Sequence, residues 1–180
     1  MKRTLRAGWL VLAVATAALD LWSKTGGTLS GDPSQWPWKY KAGPGGFDGS
    51  LDPTQFPVVE NWLYVRTWWN EGGAWSMSLS PALLFWGTLL AVPLIALWIF
   101  WPRSARAWDT AAKALILGGA IGNLYDRWRW NMVRDWIDVC FGNPEGWHYP
   151  TFNVADVGLV VGIVMLLLGG MRKRPAAAGP

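Results

Sequence analysis

Aspartates near the ends of apolar stretches are the residues best suited to chemistry in this 180-residue sequence. Asp156 lies about one turn inside such a stretch, and Asn153, three residues earlier, shares its helical face. Carboxylates at membrane depth are costly, so those found there usually have a function. Taken alone, Asp156 is equally typical of a first-turn acid that stabilises the helix dipole, with Asn153 as the cap.

Two carboxylates held side by side are able to cleave a peptide bond without a metal ion. Their repulsion keeps a proton on one acid, while the other stays charged and activates water. The roles of base and acid then exchange as the amine leaves. Asp126, Asp135 and Asp138 precede Asp156 in the chain. Asp135 and Asp126 are the two main candidates for the second acid, and the residues alone do not choose between them.

Other chemistries have little support in the sequence. His148 is the only histidine and Cys140 the only cysteine, so a His/Cys zinc site or a disulfide framework is excluded. There is no HExxH motif and no Ser/His pair at an interpretable spacing. We therefore expect no metal and no cofactor, and we interpret His148, between two aromatic residues, as a residue of the membrane interface.

The composition predicts a membrane protein. Hydrophobic residues make up 52% of the chain, charged residues make up 16%, and there are 16 tryptophans, a residue enriched at bilayer interfaces. The net charge of +4 does not indicate nucleic-acid binding, because the basic residues gather at the termini and in one short loop.

Four stretches are apolar enough to cross a bilayer, which takes roughly 17–25 helical residues. They are predicted at residues 7–22, 81–101, 107–125 and 152–170. The first has an alternative interpretation as a cleavable signal peptide, because a basic start and an apolar run precede small residues at 15–17. Cleavage there would leave an odd number of spans.

The basic residues predict the orientation of the spans. Clusters at residues 2–6, 103–106 and 172–174 fall on one side of a four-span protein, which is then the cytoplasm. Both termini are expected to be cytoplasmic, with residues 23–80 and 126–151 outside. Residues 56–67 are β-prone and predict a small sheet on the outer membrane surface, after a Gly/Pro-rich loop at 25–61. Residues 1–174 form one predicted domain, followed by a disordered tail at 175–180.

Small residues predict which spans touch. Gly118 and Gly122 on the third span and Gly158 and Gly162 on the fourth are small-xxx-small steps, which let neighbouring helices approach closely. If these two faces meet, the segment that begins at Asp126 comes close to Asp156.

Five segments in chain order carry a resemblance to a known family. They are DLWSK at 20–24, NEGGAWS at 70–76, GGAIGNLYDR at 118–127, VRDWID at 133–138 and FNVAD at 152–156. Together they resemble the lipoprotein signal peptidases, also called signal peptidase II. The resemblance implies an all-α membrane protein of four transmembrane helices, with a small extracytoplasmic β-sheet and a surface loop or helix near the active site.

The same resemblance implies roles for individual residues. The acids of the fourth and fifth segments, Asp135 and Asp156, correspond to the catalytic pair. Supporting polar residues that position the pair or hold the peptide backbone correspond to Asp20, Asn70, Asn123, Asp126, Arg127 and Asn153. Gly73 and Trp75 stand where the family more often has Ala and Phe, which affects the expected pocket shape but removes no acid.

The activity that the resemblance implies is an intramembrane aspartyl endopeptidase of the bacterial cytoplasmic (inner) membrane. It would remove signal peptides from diacylglyceryl-modified prolipoproteins, cutting before the lipidated cysteine. The expected partners are these substrates and membrane lipids, and we expect a monomer. Two alternatives are a proton-coupled carrier in which Asp20 and Asp156 relay protons, and a non-catalytic membrane protein whose acids join helices.

Overall fold

The computed structural model describes residues 3–28, 56–71, 79–100, 106–143 and 145–171. Four helices and three strands occur in these ranges: α1 Arg3–Lys24, β1 Phe56–Val59, β2 Leu63–Asn70, α2 Pro81–Phe100, α3 Ala107–Trp130, β3 Val133–Val139 and α4 Val154–Met171. Most of the predicted 25–61 loop, part of the 70–76 segment and the 175–180 tail lie outside the described residues. So do parts of the first two basic clusters and the whole of the third, at 172–174.

Helix α3 is the centre of the bundle, because it packs against α1, α2 and α4. Small side chains make this possible. Five small residues are buried along α3: Ala112, Ala114, Gly118, Ala120 and Gly122. Because their side chains are small, the backbones of the neighbouring helices are able to approach closely.

The glycines of α3 meet two helices rather than one. A Cβ on Gly118 would lie 2.5 Å from the Ala13 carbonyl oxygen of α1, whereas a Cβ on Gly119 would meet the Ala155 carbonyl of α4. Gly162 of α4 faces Ala112 of α3 just as closely. The predicted approach of the third and fourth spans is confirmed, but Gly118 contacts α1, because successive helical residues point about 100° apart.

Two of the helices are long and apolar enough to cross a membrane, α2 over Pro81–Ile99 and α4 over Val154–Met171. Large apolar side chains on α2, including Leu83, Trp86 and Leu97, are well exposed, as expected for a surface that faces lipid. Helices α1 and α3 carry charged residues towards their ends. Their crossing of the bilayer, and with it the four-span arrangement, stays a prediction.

Helix α3 continues beyond the predicted end of its span. It runs to Trp130 and stops at Asn131, which has a left-handed φ of 58° and donates its backbone N–H to the Arg127 carbonyl at 3.0 Å. Asp126 and Arg127 therefore lie on the last turns of a helix, whereas the sequence placed them at the start of a loop.

The three strands form one antiparallel sheet in the order β1-β2-β3. The predicted β-prone stretch at 56–67 is confirmed, since β1 and most of β2 lie there. Strand β3, which carries Asp135, was not predicted as a strand. It pairs with β2 so that Trp68 lies opposite Asp135 and Asn70 lies opposite Val133.

Backbone hydrogen bonds join the sheet to the start of α4. The N–H groups of Trp136 and Ile137 both donate to the Phe152 carbonyl, at 3.0 and 2.9 Å, and Phe152 donates back to Ile137 at 3.1 Å. Asp135 directly precedes Trp136 on the strand side of this junction, and α4 begins at Val154, two residues after Phe152. The described residues include no helix besides α1 to α4, so the expected surface helix is not found among them.

Candidate active site

Asp156 closes a reciprocal cap at the start of α4. The Asn153 Oδ1 atom accepts the backbone N–H of Asp156 at 2.9 Å, and Asp156 Oδ2 accepts the backbone N–H of Asn153 at 3.1 Å. This is a capping box, in which two otherwise unpaired N–H groups are satisfied together. The cap interpretation of Asp156 and Asn153 is therefore confirmed. The other carboxylate oxygen, Oδ1, accepts from Asn123 Nδ2 of α3 at 2.8 Å.

Asp135 is buried on β3 and receives two amide donors. Asn70 Nδ2, at the end of β2, donates to Asp135 Oδ2 at 3.0 Å, and Asn153 Nδ2 donates to Asp135 Oδ1 at 2.7 Å. Asn153 thus contacts both acids, Asp156 through its backbone and Asp135 through its side chain. The structure brings Asp135 and Asp156 together around one asparagine.

Burial and the neighbouring Asp156 carboxylate raise the pKa of Asp135 to about 8, in that order of importance. The Asn70 hydrogen bond, the charge of Lys24 and the Asn153 hydrogen bond act in the opposite direction but do not cancel the increase. At neutral pH Asp135 therefore carries the proton that the pair shares.

Asp126 lies in an ion-pair cluster with Arg134 and Lys24. Arg134 donates to Asp126 Oδ1 from Nη2 at 2.6 Å and from Nε at 3.1 Å, and the Arg134 backbone N–H donates to Oδ2 at 3.0 Å. The Lys24 ammonium is 3.1 Å from the same Oδ2, and Asp126 is fully buried. Both oxygens of Asp126 thus contact cations. This arrangement is typical of a structural ion pair rather than of a carboxylate that accepts a proton from water.

Asp20 joins α1 to the N-terminus of α4. Its Oδ1 accepts the Ala155 backbone N–H at 2.8 Å, where the positive end of the helix dipole favours a carboxylate. Its Oδ2 is 2.7 Å from the Lys24 ammonium, one turn further along α1. A buried acid fixed by both partners is poorly suited to the proton-relay role of the carrier alternative.

Arg127 is partly buried near the C-terminal end of α3. It donates from Nη1 to the Asn123 carbonyl at 3.4 Å, and its guanidinium interacts electrostatically with Asp156, Asp135 and Asp126. Its positive charge therefore acts on the acid pair through space.

Sequence reasoning missed two functional cations, Lys24 and Arg134. Lys24 has no exposed side-chain surface, and the Arg134 side chain is 2% exposed. A signal existed for Lys24, because Asp20 precedes it by four residues and such a pair shares a helical face. Both lie inside the segments that carry the resemblance, at 20–24 and 133–138.

Asp138 belongs to a second, separate cluster at the far part of β3. His148 Nδ1 lies 2.9 Å from both Asp138 oxygens, and Arg66 Nη1 is 3.9 Å away. The interpretation of His148 as a membrane-interface residue stays a prediction, and the structure adds that its imidazole contacts a carboxylate. A β-bridge between His148 and Cys140 folds this loop back onto the sheet and directs the imidazole to a buried carboxylate.

The eight site residues named from the sequence gather where the sheet meets α1, α3 and α4. Among the residues that the structure describes, no group of three His, Cys, Asp or Glu side chains is arranged to hold a metal ion. A pair of neighbouring acids, one of them buried with a strongly raised pKa, is typical of acid–base catalysis. Helices α2 and α4 are long and apolar enough to cross a membrane. Together with the acid pair, they give the chain the features of a membrane enzyme with a two-carboxylate site.

Comparisons with known proteins agree with this class. The family model described as signal peptidase (SPase) II matches residues 12–172. The lipoprotein signal peptidase of Xanthomonas campestris pv. campestris (strain 8004) is 35% identical over 180 residues, covering 95% of this chain and 93% of the relative. That of Rhodopirellula baltica is 34% identical over 170 residues, covering 87% and 68%.

A solved structure described as a bacterial membrane enzyme has the same fold, with a TM-score of 0.70 at 21% identity, over 93% of this chain and 95% of that one. The chain belongs to the signal peptidase II family, and it is a peptidase.

Proposed function

We propose that this chain is an aspartyl endopeptidase that removes signal peptides from prolipoproteins, with Asp135 and Asp156 as its catalytic pair. One observation carries the assignment. Asn153 contacts both carboxylates, and the raised pKa of Asp135 leaves a single proton on the pair. Asp126, the rival for the second position, is instead neutralised by Arg134 and Lys24.

The reaction follows from one shared proton. Asp156 takes a proton from water as the water oxygen attacks the scissile carbonyl carbon, and Asp135 gives its proton to the carbonyl oxygen. The tetrahedral diol then breaks down: Asp156 protonates the leaving nitrogen as the C–N bond breaks, and Asp135 recovers its proton from the hydroxyl. Both acids return to their starting states.

The surrounding side chains position the pair. Asn70, Asn123 and Asn153 each donate to a catalytic carboxylate, which fixes the direction in which its free lone pairs point. By the family resemblance, Arg127 positions the pair or holds the substrate backbone. Its electrostatic interaction with Asp156 and Asp135 supports a place at the same site.

The proposed substrate carries a diacylglyceryl group on the cysteine that follows the cut. Each buried CH₂ contributes roughly 0.8 kcal/mol to membrane binding, so diacylation confines the precursor to the bilayer. A site where the helices meet an outer sheet would then receive the substrate laterally. We further propose a monomer with four spans in the bacterial cytoplasmic membrane and with both termini in the cytoplasm.

Substrate acylation provides the test of this function. Purified enzyme in lipid should cut a precursor that carries its diacylglyceryl cysteine at least about tenfold faster than the same precursor without it, because only the first is concentrated in the plane of the site. Cleavage is followed by gel shift, with the Asp156→Asn variant as a blank. Equal rates for the two precursors would contradict lipid recognition and indicate a general membrane peptidase.

The pH dependence should reflect the proton on Asp135. Below pH 8 Asp135 is protonated and able to act as the acid, whereas above it the proton is lost. The cleavage rate should therefore decline as pH rises through about 8. Rates are measured between pH 6 and 10, and circular dichroism checks that the fold persists. Glu145→Gln, a change at an exposed loop position, serves as the control and should decline over the same range. A rate that stays constant up to pH 10 would refute the assignment of the acid.

The orientation is tested by reporter fusions. Fusions after residue 174 and within 103–106 should report cytoplasm, whereas fusions within 25–61 or 143–147 should report the outside, because the basic clusters remain inside. Alkaline phosphatase and green fluorescent protein give opposite signals and control for expression. An external C-terminus would contradict the four-span arrangement.

A further inference from the structure

Lys24 lies at the end of α1 without any exposed side-chain surface. Its ammonium is 2.7 Å from Asp20 Oδ2, 3.1 Å from Asp126 Oδ2 and 3.2 Å from Asn123 Oδ1. An ammonium has three protons and no acceptor, so three oxygens are the full set it is able to satisfy. Two of them are carboxylates, but the third belongs to an uncharged amide that also contacts the acid pair.

The amide of Asn123 has a donor end and an acceptor end of nearly the same shape. Next to Lys24 only the oxygen is acceptable, because the amide nitrogen would place its protons against those of the ammonium. With Oδ1 held there, Nδ2 points the opposite way and donates to Asp156 Oδ1 at 2.8 Å. In the reversed orientation an amide oxygen would face the carboxylate oxygen instead, and both contacts would be repulsive.

The same orientation passes to Asn153. Asn123 Oδ1 also accepts from Asn153 Nδ2 at 3.1 Å, and this nitrogen donates to Asp135 Oδ1 at 2.7 Å. The opposite end of the Asn153 amide, Oδ1, accepts the Asp156 backbone N–H. The side-chain amides of Asn123 and Asn153 therefore each direct their nitrogen towards a catalytic carboxylate. This series of hydrogen bonds begins at the Lys24 ammonium, which is able only to donate.

We propose that Lys24 is a positioning residue of the acid pair, which orients the Asn123 amide so that its nitrogen faces Asp156. This inference rests on the proposed assignment of Asp135 and Asp156. It differs from the simpler role of Lys24, which is to neutralise the buried carboxylates of Asp20 and Asp126. A neutralising role requires the charge alone, whereas the positioning role acts through Asn123.

A double-mutant cycle separates the two roles, because residues that act through one another have non-additive effects. Lys24→Met and Asn123→Ala should each lower kcat about 10- to 100-fold, with KM within about twofold of the unchanged enzyme. If Lys24 acts through Asn123, the double variant should lie within about threefold of Asn123→Ala alone. The rate is measured per folded molecule, counted by titration with a tight-binding peptide that carries a hydroxyl in place of the scissile carbonyl.

Asp20→Asn is the matched control, since it removes a charge from the same cluster but leaves the contact between Lys24 and Asn123 in place. In the Asp20→Asn/Asn123→Ala double variant, the loss of kcat should equal the product of the two single losses, because Asp20 does not act through Asn123. If Lys24→Met alone does not fold, the same cycle is run in the Asp20→Asn background, where one cation and one anion are removed together.

The positioning role is overturned if the losses from Lys24→Met and Asn123→Ala multiply, if Lys24→Met keeps kcat within twofold, or if its loss falls mainly on KM. Failure of the proposed function is recognised separately in the same assays. In that case Asp156→Asn itself would cleave the acylated precursor at the wild-type rate.

Discussion

Asp135→Asn and Asp156→Asn should each lower the cleavage rate by about 10³-fold or more while the protein remains folded. A positioned proton-transfer group contributes roughly 10²–10⁴ to the rate, and each substitution removes either the acid or the base. Asparagine has nearly the same shape as aspartate, so packing changes little, and the cost to folding is confined to one hydrogen bond that the new amide nitrogen is unable to accept. The measurement is single-turnover cleavage of an acylated precursor, with thermal unfolding in detergent as the check on folding.

Two other acids provide the controls for this experiment. Asp109→Asn, in the first turn of α3 and far along that helix from the site, should cleave at nearly the normal rate. Asp126→Asn should mainly destabilise the protein, by about 3–5 kcal/mol, because it leaves the buried Lys24 and Arg134 without a shared partner. Near-full activity of Asp135→Asn combined with a folded but inactive Asp126→Asn would show that the wrong acid has been assigned.

Gly119→Leu should destabilise the bundle by about 3 kcal/mol or more, at the upper end of the cost of overpacking. An added Cβ would collide with the Ala155 carbonyl and lie 2.9 Å from Leu159 Cγ, so α3 and α4 must separate. Asn123 and Asp156 lie within a turn of this contact. The same separation should therefore break their hydrogen bond and lower cleavage in parallel with stability.

Gly170→Leu is the matched control for this change. It adds the same side chain to an α4 glycine, but nothing lies within 4 Å of the position that its Cβ would occupy. Its unfolding midpoint should stay close to that of the unchanged protein. The midpoint is measured both by titration with sodium dodecyl sulfate and by heating. If the two leucine variants unfold together, close packing of α3 on α4 does not determine the stability of the bundle.

The helices and the small sheet were largely predictable from the sequence, because apolar length and β-branched composition are local properties. Strand β3 was not, since VRDWIDV has three charged residues among seven and looks like a surface segment. Those charges are instead buried by partners outside the strand: Asp126 for Arg134, Asn153 for Asp135 and His148 for Asp138. Such a contact between two polar residues produces no periodic pattern of hydrophobic residues in the sequence around either of them.

The site was predictable as a set of residues but not as a network. The family resemblance named Asp135, Asp156 and the three asparagines, whereas spacing alone could not choose between Asp126 and Asp135. Their different partners distinguish them in the structure, because one has two cations and the other has amides. Lys24 was missed for a different reason: a lysine near the end of an apolar helix usually extends towards water, whereas this one is fully buried.

The junction between β3 and the start of α4 has a mechanical consequence. The hydrogen bonds at Phe152, together with the Asn153 amide, fasten the strand that carries Asp135 to the helix end that carries Asp156. Membrane helices adjust to bilayers of different thickness by tilting. If α4 tilts, we expect its first turn to carry β3 with it, so that the gap between the two carboxylates changes little. The spacing of the acids should then depend only weakly on the thickness of the surrounding lipid.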